Sequence, residues 1–347
     1  MNKRKRPAEE LIRKIHDVAK GIGRKVVLME VCGTHTQAIS RNGIRRLMPE
    51  NVILLTGPGC PVCVTAQEDI DAVVHLALAG IPIATYGDML RVPGNFGSLE
   101  QARSRGAKVF SIYSVEEALE LKKDYPELVF FGLGFDTTAP MTAMALKQGL
   151  VVYSTHKLFL PAMDALLGMG EIQVDGFISP GHVSTIVGTE AYRHMDVAQV
   201  ITGFKADDVL VGIYMLLNQI KEGRRDVENE YVRLVRPGGN PAALKALKDA
   251  FVISDGNWRG FGIIPGSGLE VRDPKLNAKV KYRGVLAEAD FSKSGKPTGC
   301  RCGEVIRGLI APAKCPMFGK TCTPEKPYGP CMVSDEGACN AQYRFEG

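Results

Sequence analysis

Short apolar runs alternate with helix-like stretches along the first two thirds of the chain, and this alternation restricts the possible folds most. The runs are rich in Val, Ile and Leu. Fully apolar runs separated by helices are typical of parallel strands that helices cover on both faces. The sequence therefore predicts an α/β fold. The runs are KVVLMEV, NVILLTG, IPIATYG, AKVFSIY, LVFFGLG, GLVVYST, VDGFISPG and AQVITGF.

The turns after these strands predict two related parallel-sheet α/β domains, at residues 1–110 and 111–235. Three turns in the first half resemble three in the second, because each passes from a strand through glycine and polar residues into a helix. Their spacing is unequal, so the likeness is one of architecture. Ligands of open α/β sheets lie beyond the carboxyl ends of the strands, at helix N-termini. We therefore expect the two domains to face a central cleft lined by these turns.

The remaining residues, 236–347, have a different character. One helical stretch, AALKALKDAF, is followed by a tail rich in Gly, Pro and Cys with little periodicity. Such a tail can hardly form a core from apolar residues alone, and metal ligation would supply the missing stability. We expect a small, irregular C-terminal domain.

Charge and hydropathy argue against nucleic-acid and membrane partners. The formal net charge is +5, and the only dense basic run is NKRKRP near the start. A clustered basic face is the usual mark of a nucleic-acid-binding protein. No signal-peptide pattern follows the basic run, and no apolar run approaches the roughly 18 residues of a membrane helix. We expect a soluble cytoplasmic protein.

Nine cysteines fall into two groups, three between residues 32 and 63 and six between residues 300 and 339. In a cytoplasmic chain of this size, cysteines more often bind metal or carry out redox chemistry than form stabilising disulfides. The uneven distribution predicts two separate sulfur sites.

The turn TGPGCPVC contains Cys60 and Cys63 in a CxxC arrangement directly after a predicted strand. A CxxC near a helix N-terminus suits thiol redox exchange or metal binding. Half of a structural zinc site, or a pair of inert thiols, is the alternative interpretation.

The stretch MEVCGTHTQAIS places Cys32 at a strand end, three residues before His35. By itself Cys32 could be a small buried hydrophobic residue. Cys and His together are preferred ligands for iron, copper or zinc. Thr34 and Thr36 are available as helix caps.

Two further turns carry candidate residues. Asp136 and Thr137 in GFDTTAP could cap the helix that follows, and His182 in SPGHVS could be a hydrogen-bonded turn residue. Each becomes a candidate for function if its turn lines the cleft.

In the tail, four cysteines form the pattern C-x14-C-x6-C-x16-C. Four thiolates suit either a [4Fe-4S] cluster or a four-cysteine zinc site. Two further cysteines, Cys302 and Cys331, could pair as a redox disulfide beside the cluster, or Cys302 could replace Cys300 as a ligand. The four cysteines are Cys300, Cys315, Cys322 and Cys339.

Seven motifs taken together resemble the HypD family of hydrogenase formation proteins, in order and along nearly the whole chain. They are EVCGTHT, GPGCPVC, GDMLRVPG, GFDTTAP, PGHVS, WRGFG and the tail CGEV…CPMFGKTC…MVSDEGAC. The resemblance implies an accessory protein of [NiFe]-hydrogenase maturation. On such a protein the Fe(CN)2CO group is built, together with the small chaperone HypC and the cyanide-supplying HypE.

The resemblance also implies roles for individual residues. Cys32 would bind the transient Fe(II) that carries CN and CO, together with a cysteine of HypC, and Cys60 and Cys63 would be nearby redox-active thiols. The four tail cysteines named above would hold the [4Fe-4S] cluster, and Cys302 and Cys331 could form a redox disulfide beside it. The candidate catalytic residues are Cys32, Cys60, Cys63, His35, Asp136, Thr137 and His182.

The chain departs from the family pattern at two positions. Gln37 stands where some relatives have a second histidine, and Asp136 stands where Glu is usual. Two other functions remain open from the residues. One is a stand-alone thiol-disulfide oxidoreductase that resembles ferredoxin-thioredoxin reductase, and the other is a binding protein with a structural zinc tail.

Overall fold

A computed structural model describes residues 5–291, 294 and 299–346. The described part contains eleven strands, numbered in chain order. They are β1 (Val26–Glu30), β2 (Val52–Thr56), β3 (Ile83–Tyr86), β4 (Val109–Ile112), β5 (Val129–Gly132), β6 (Val151–Ser154), β7 (Gly176–Pro180), β8 (Ala198–Thr202), β9 (Val227–Asn229), β10 (Phe251–Trp258) and β11 (Gly262–Val271).

The α-helices of the described residues are numbered in the same way. They are α1 (Lys5–Ile22), α2 (Gly33–Arg41), α3 (Ile44–Leu47), α4 (Pro61–Val64), α5 (Gln67–Leu78), α6 (Gly87–Leu90), α7 (Leu99–Ser104), α8 (Val115–Asp124), α9 (Ala139–Lys147), α10 (Leu160–Met169), α11 (Gly181–Val187), α12 (Ala206–Glu222), α13 (Pro241–Ala250), α14 (Ala278–Lys281), α15 (Arg283–Ala287), α16 (Cys302–Ile306), α17 (Pro330–Val333) and α18 (Ala338–Phe345). Two short 3-10 helices cover Glu190–Tyr192 and Pro312–Lys314.

Two parallel sheets form the body of the protein, which confirms the predicted α/β class. The first sheet has five strands in the order β2-β1-β7-β8-β9, and the second has four in the order β4-β3-β5-β6. All pairings within these two sheets are parallel. Strands β10 and β11 form a separate antiparallel hairpin.

The sheets do not divide the chain at residue 110, where the sequence predicted a boundary. The chain leaves the first sheet after β2, forms the whole second sheet from β3 to β6, and then returns to the first sheet at β7. Leu28 of β1 therefore pairs with Gly176 of β7. The likeness between turns reflected the local strand-turn-helix arrangement, which is the same in both sheets and does not reveal which strands pair.

One apolar core joins the two sheets. Met29 and Phe177 of the first sheet belong to the same cluster of buried side chains as Phe131 and Tyr153 of the second, together with Trp258 of the hairpin. Helices α1 and α12 pack against each other on the outer face of the first sheet. The carboxyl ends of the sheets are thereby held in a fixed relation to each other.

The tail after residue 299 is built from short helices and turns, whereas residues 251–271, which the sequence assigned to the same irregular C-terminal domain, form the β10–β11 hairpin. Helix α18 packs on α2, and α16 and α17 pack on α4. The tail therefore contacts the helices that begin at the two cysteine-containing turns of the first sheet. In the described part of the chain, no helix is both long and apolar enough to span a membrane.

Candidate functional site

Cys32 lies at the junction of β1 and α2, as the N-cap residue of the helix. Its extended backbone (φ −148°, ψ 129°) ends the strand and directs the chain into the helix. Neither Thr34 nor Thr36 occupies the N-cap position, so the predicted capping role for these threonines is wrong. The side chain of Cys32 is partly exposed.

The CxxC turn lies directly against the Cys32 turn. The N–H of Gly33 donates to the carbonyl of Gly59 over 3.0 Å. A Cβ atom at Gly59 would lie 2.3 Å from the backbone of Cys32, so only glycine fits this close approach. Cys60 and Cys63 are buried and joined by a disulfide bond. The predicted thiol pair and the predicted iron ligand are therefore neighbours at one sheet edge.

The surroundings of Cys32 favour its protonated form. Burial, followed by the nearby carboxyl of Glu336, raises the pKa of the Cys32 thiol to about 12, and Glu30 acts in the same direction. The backbone N–H groups of His35 and Thr34 oppose this rise in pKa. A metal that binds Cys32 must displace a proton, because only the thiolate is a strong ligand.

Glu30 supports the Cys32 turn from within the protein. Its side chain is completely buried, and its two oxygens accept hydrogen bonds from the Cys32 N–H (3.1 Å) and the Thr36 hydroxyl (2.6 Å). Burial raises the pKa of Glu30 to about 7. Glu30 is not among the residues predicted from the sequence, although a glutamate at the end of the apolar run KVVLME is a visible signal.

Glu336 brings the tail to the same turn. Its Oε1 accepts a hydrogen bond of 2.9 Å from the Thr34 hydroxyl. A Cβ atom at Gly33 would lie 2.6 Å from the Glu336 Cβ, so glycine leaves the room that this side chain needs. Burial raises the pKa of Glu336 above its ordinary value. No pattern in the sequence indicated which tail residue would reach the cleft.

His35 is completely buried in the first turn of α2. Its Nε2 lies 2.9 Å from the carbonyl oxygen of Gly203 and 2.9 Å from the hydroxyl of Thr202. Burial lowers the pKa of His35 to about 4, so the ring is neutral near pH 7. The ring of Phe204, which follows the same strand, packs between His35 and the exposed ring of His182.

Asp136 does not cap the helix that follows it. Helix α9 begins at Ala139 after Thr138, without a side-chain cap, while Asp136 accepts a hydrogen bond of 2.9 Å from the N–H of Phe159. Burial raises the pKa of Asp136 to about 6. Its side chain also lines an open cavity of about 850 Å³. Thr137 lies beside it and is partly buried.

The pKa of Tyr192 is affected by residues from both sheets. This buried side chain accepts a hydrogen bond of 2.8 Å from the Ser184 hydroxyl. Burial raises the pKa of Tyr192, and the charges of Asp136 on the second sheet and Cys32 on the first contribute to the rise. Asp136 and Cys32 therefore both act electrostatically on one buried side chain.

All six tail cysteines line one small cavity. They are Cys300, Cys302, Cys315, Cys322, Cys331 and Cys339. The sulfur atoms of the buried residues Cys302 and Cys331 lie 2.7 Å apart. A Cβ atom at Gly329 would lie 2.4 Å from the Cys300 sulfur, so glycine makes room for this thiol.

Cysteine is the commonest residue type lining the tail cavity. Among the described residues that line it there is no carboxylate or histidine, and Arg301 is the charged one. Across residues 5–291, 294 and 299–346, no group of three or more His, Cys, Asp or Glu side chains is arranged to hold a metal ion.

Arg259 connects the CxxC helix with the tail. Its backbone N–H donates to Val64 (2.9 Å), its Nε to the carbonyl of Thr65 (3.1 Å) and its Nη1 to Gln67 (3.0 Å). Hydrogen bonds from Cys300 and Cys331 lower the pKa of Cys302, and the positive charge of Arg259 adds to this effect. Arg259 belongs to the motif WRGFG, and the sequence alone suggests no role for this arginine.

These features define a class of protein: an α/β protein with thiols at its strand ends and a cysteine-rich tail packed against them. A model of the HypD family, described as "Hydrogenase formation hypA family", matches residues 6–346. The chain belongs to the HypD family, which confirms the resemblance seen in its motifs.

Individual relatives agree with this assignment. Hydrogenase maturation factor HypD of Azotobacter vinelandii is 42% identical over 343 residues, which cover 93% of this chain and 90% of the relative. HypD of Escherichia coli is 40% identical over 341 residues, which cover 93% of this chain and 90% of the relative. A putative hydrogenase expression/formation protein of Methanocaldococcus jannaschii is 40% identical over 352 residues, which cover 97% of this chain and 96% of the relative.

Proposed function

We propose that this chain is a hydrogenase maturation factor on which the Fe(CN)2CO group of [NiFe]-hydrogenases is assembled. It would act in complex with a HypC-type small chaperone and a HypE-type cyanide donor. Membership of the HypD family supports the hydrogenase role. The contact between the two sulfur sites supports the finer proposal, since Glu336 of the tail bonds Thr34, two residues from Cys32.

Cys32 would bind the iron of this group, which is the substrate of the assembly. Low-spin Fe(II) that carries cyanide and CO is well served by a soft thiolate in a site with little water. The Cys32 side chain is partly exposed, so a cysteine of a HypC-type partner can approach the same iron. The charges of Glu336 and Glu30 and the backbone N–H groups of Thr34 and His35 act on its thiol.

Polar groups of the cleft would orient the substrate and exclude water. His35 is neutral and buried, while His182 is exposed and can donate a hydrogen bond to a ligand at the cleft. Asp136, with its pKa raised to about 6, is able to hold a proton close to neutral pH. Thr137 presents a hydroxyl beside it.

The tail cavity would hold a [4Fe-4S] cluster, which when bound supplies electrons one at a time. The donors are of the right chemical type, since six thiols and, among the described lining residues, no carboxylate surround the cavity, although their side chains are not arranged around a metal position. We assign Cys302 to the redox pair because its sulfur lies 2.7 Å from that of Cys331. The cluster ligands would then be Cys300, Cys315, Cys322 and Cys339.

The two thiol pairs would exchange reducing equivalents. In a balanced step, the Cys302 and Cys331 thiols give up two electrons and two protons and form a disulfide, while the Cys60–Cys63 disulfide becomes a dithiol. Arg259 bonds the end of the CxxC helix, and its charge acts on Cys302.

Infrared spectroscopy of the complex with the HypC-type partner tests the scaffold function. The wild-type complex, purified without oxygen, should show cyanide and CO stretching bands, and Cys32→Ala should lose them. Ser40→Ala, at a buried hydroxyl in the last part of the same helix, serves as a control that should keep the bands. Bands that persist in Cys32→Ala would rule out Cys32 as the iron ligand.

The adjacent thiol pairs also favour a second candidate, a stand-alone thiol-disulfide oxidoreductase. Under this function Cys60→Ala should abolish disulfide reduction by the isolated chain, while Cys32→Ala should leave it intact. Iron content and colour after anaerobic purification distinguish both candidates from a structural zinc tail, because a zinc protein would be colourless.

A further inference from the structure

The ring of Phe204 lies between two histidine rings of the cleft. Its centroid is 4.8 Å from that of His35, with an angle of 30° between the ring planes, and 3.8 Å from that of His182, at 25°. His35 is buried and His182 is exposed. Phe204 therefore packs against both the buried histidine and the exposed one.

The strand tip that carries Phe204 also binds the edge of the His35 ring. Nε2 of His35 lies 2.9 Å from the Gly203 carbonyl and 2.9 Å from the Thr202 hydroxyl. A carbonyl oxygen can only accept, so Nε2 carries the proton and Nδ1 carries a free lone pair. Nδ1 is buried and has no hydrogen-bond partner among the described residues. Three consecutive residues thus contact one ring, whose second nitrogen has no partner among the described residues.

The strand tip is itself held in place. Gly203 donates its N–H to Glu230 over 2.9 Å, and a Cβ atom at Gly203 would lie 2.2 Å from an oxygen of Asp208. Arg233 forms ion pairs with both carboxylates, at 3.5 Å from Glu230. The backbone that presents Phe204 therefore has little freedom to move.

Tyr231 is a further aromatic neighbour of the Phe204 ring. The two rings meet edge to face, with centroids 5.9 Å apart and planes at 80°, and the Arg233 guanidinium lies 4.3 Å from the Tyr231 centroid. Such aromatic contacts contribute beyond the area they bury and have a preferred geometry. Phe204 is consequently a fixed surface against which His35 packs.

We infer that Phe204 is a positioning residue of the Cys32 site. This inference rests on the proposed function, which supplies the identity of the ligand as the iron group. Phe204 packs on the His35 ring and holds it in the one orientation that bonds Nε2 to the strand tip. The lone pair of Nδ1 then stays directed to a single place as a hydrogen-bond acceptor. Phe204 acts through His35 and does not itself touch the reacting atoms.

Nitrogen NMR of the histidine rings in the full-length chain tests this inference without any iron. In the wild type, His35 should show one tautomer, protonated at Nε2, with slow exchange of that proton. Phe204→Leu should speed the exchange about two- to tenfold, the range expected for the loss of one aromatic contact. Phe204→Tyr, which keeps the ring, should restore the wild-type rate. The His35 signal is assigned by its absence in His35→Gln.

Phe110→Leu is the matched control, because the Phe110 ring also lies 4.8 Å from an aromatic partner, Tyr125, away from the cleft. It should leave the exchange of His35 unchanged. If Phe204→Leu does not fold, Phe204→Met takes its place. An unchanged His35 exchange rate in the folded Phe204→Leu or Phe204→Met protein would overturn the inference, as would an equal change in Phe110→Leu.

Infrared spectra of the complex with the HypC-type partner separate this inference from the proposed function. Phe204→Leu should shift or broaden the cyanide and CO bands, and Phe204→Tyr should not. Absence of bands in the wild type would contradict the proposed function, while the ring measurement would still decide the role of Phe204. Bands in Phe204→Leu identical in position and width to the wild type would overturn the positioning role.

Discussion

The hydroxyl of Thr34 donates a hydrogen bond of 2.9 Å to Glu336, which lies 302 positions later in the chain. Thr34 belongs to the turn that presents Cys32, and Glu336 lies three residues before Cys339 of the tail cavity. One hydrogen bond therefore joins the candidate iron ligand to the candidate cluster site. The position of each depends on the other.

We expect Thr34→Val to weaken the docking of the tail. The substitution removes the donor and leaves the carboxyl of Glu336 without this partner, which costs about 1–3 kcal/mol when a buried polar group is left unsatisfied. Denaturant unfolding of the metal-free protein measures the loss. Thr137→Val is the matched control, because Thr137 is also partly buried. Equal losses in the two variants would contradict the prediction.

Gly59→Ala should destabilise the protein and disturb Cys32. The new methyl group would lie 2.3 Å from the Cys32 backbone, and forced overpacking of this kind costs about 1–3 kcal/mol. Gly168→Ala is the control, because nothing lies within 4 Å of a Cβ atom there and the residue is in helix α10. Alanine should stabilise that helix by about 0.5–1 kcal/mol. Thermal and denaturant unfolding measure the stability of the Gly59→Ala and Gly168→Ala variants. A Gly59→Ala protein as stable as the wild type would contradict the close approach of Gly59 to the Cys32 backbone.

Arg259→Met should slow exchange between the two thiol pairs by about tenfold, because it removes hydrogen bonds of a charged group worth roughly 1.5–3 kcal/mol. Arg259→Lys should be intermediate, since lysine keeps the charge but cannot bond both Thr65 and Gln67. Alkylation followed by mass spectrometry follows the redox state of each pair over time. Arg307→Met, which removes an exposed ion pair with Glu171, should exchange at the wild-type rate. If it slows equally, Arg259 has no special role.

His156 should make the protein less stable in acid. Burial lowers the pKa of His156 to about 3, below the value of about 6.5 in the unfolded chain. Between these values the unfolded state binds a proton that the folded state does not, so the free energy of unfolding falls as the pH falls from about 6.5 to 3.

The contribution of His156 is measured by comparing unfolding free energies of the wild type and His156→Gln across this pH range. The wild type should lose up to about 1.4 kcal/mol per pH unit more than the variant. His16→Gln is the control at an exposed histidine and should follow the wild type. Parallel curves for His156→Gln and the wild type would show that His156 does not cause the acid sensitivity.

Local patterns predicted the strands and the turns, but not how the sheets divide the strands. The apolar runs identified a parallel α/β fold because strands covered on both faces are apolar throughout. Strand order depends on contacts between distant residues, such as Leu28 with Gly176, that no local pattern records. For this reason the sequence did not indicate that the first sheet takes strands from both sides of residue 110.

The residues of the candidate site were likewise predicted only in part from the sequence. Cys32, Cys60 and His35 stood out by residue type and spacing, and the structure places them at one sheet edge. Glu336 and Phe204 did not stand out, because a glutamate in a turn and a phenylalanine after a strand are common. Their importance comes from what they touch, which only the folded chain determines.

The insertion of the second sheet between β2 and β7 also sets an order of events during synthesis. A ribosome releases the turns of Cys32 and Cys60 long before β7 and β8 exist to pair with and cover them. The second sheet can form from local neighbours in that interval, whereas the first must wait for pairing between distant segments. The thiols of a nascent chain therefore remain open to solvent and to redox enzymes until its middle section has folded.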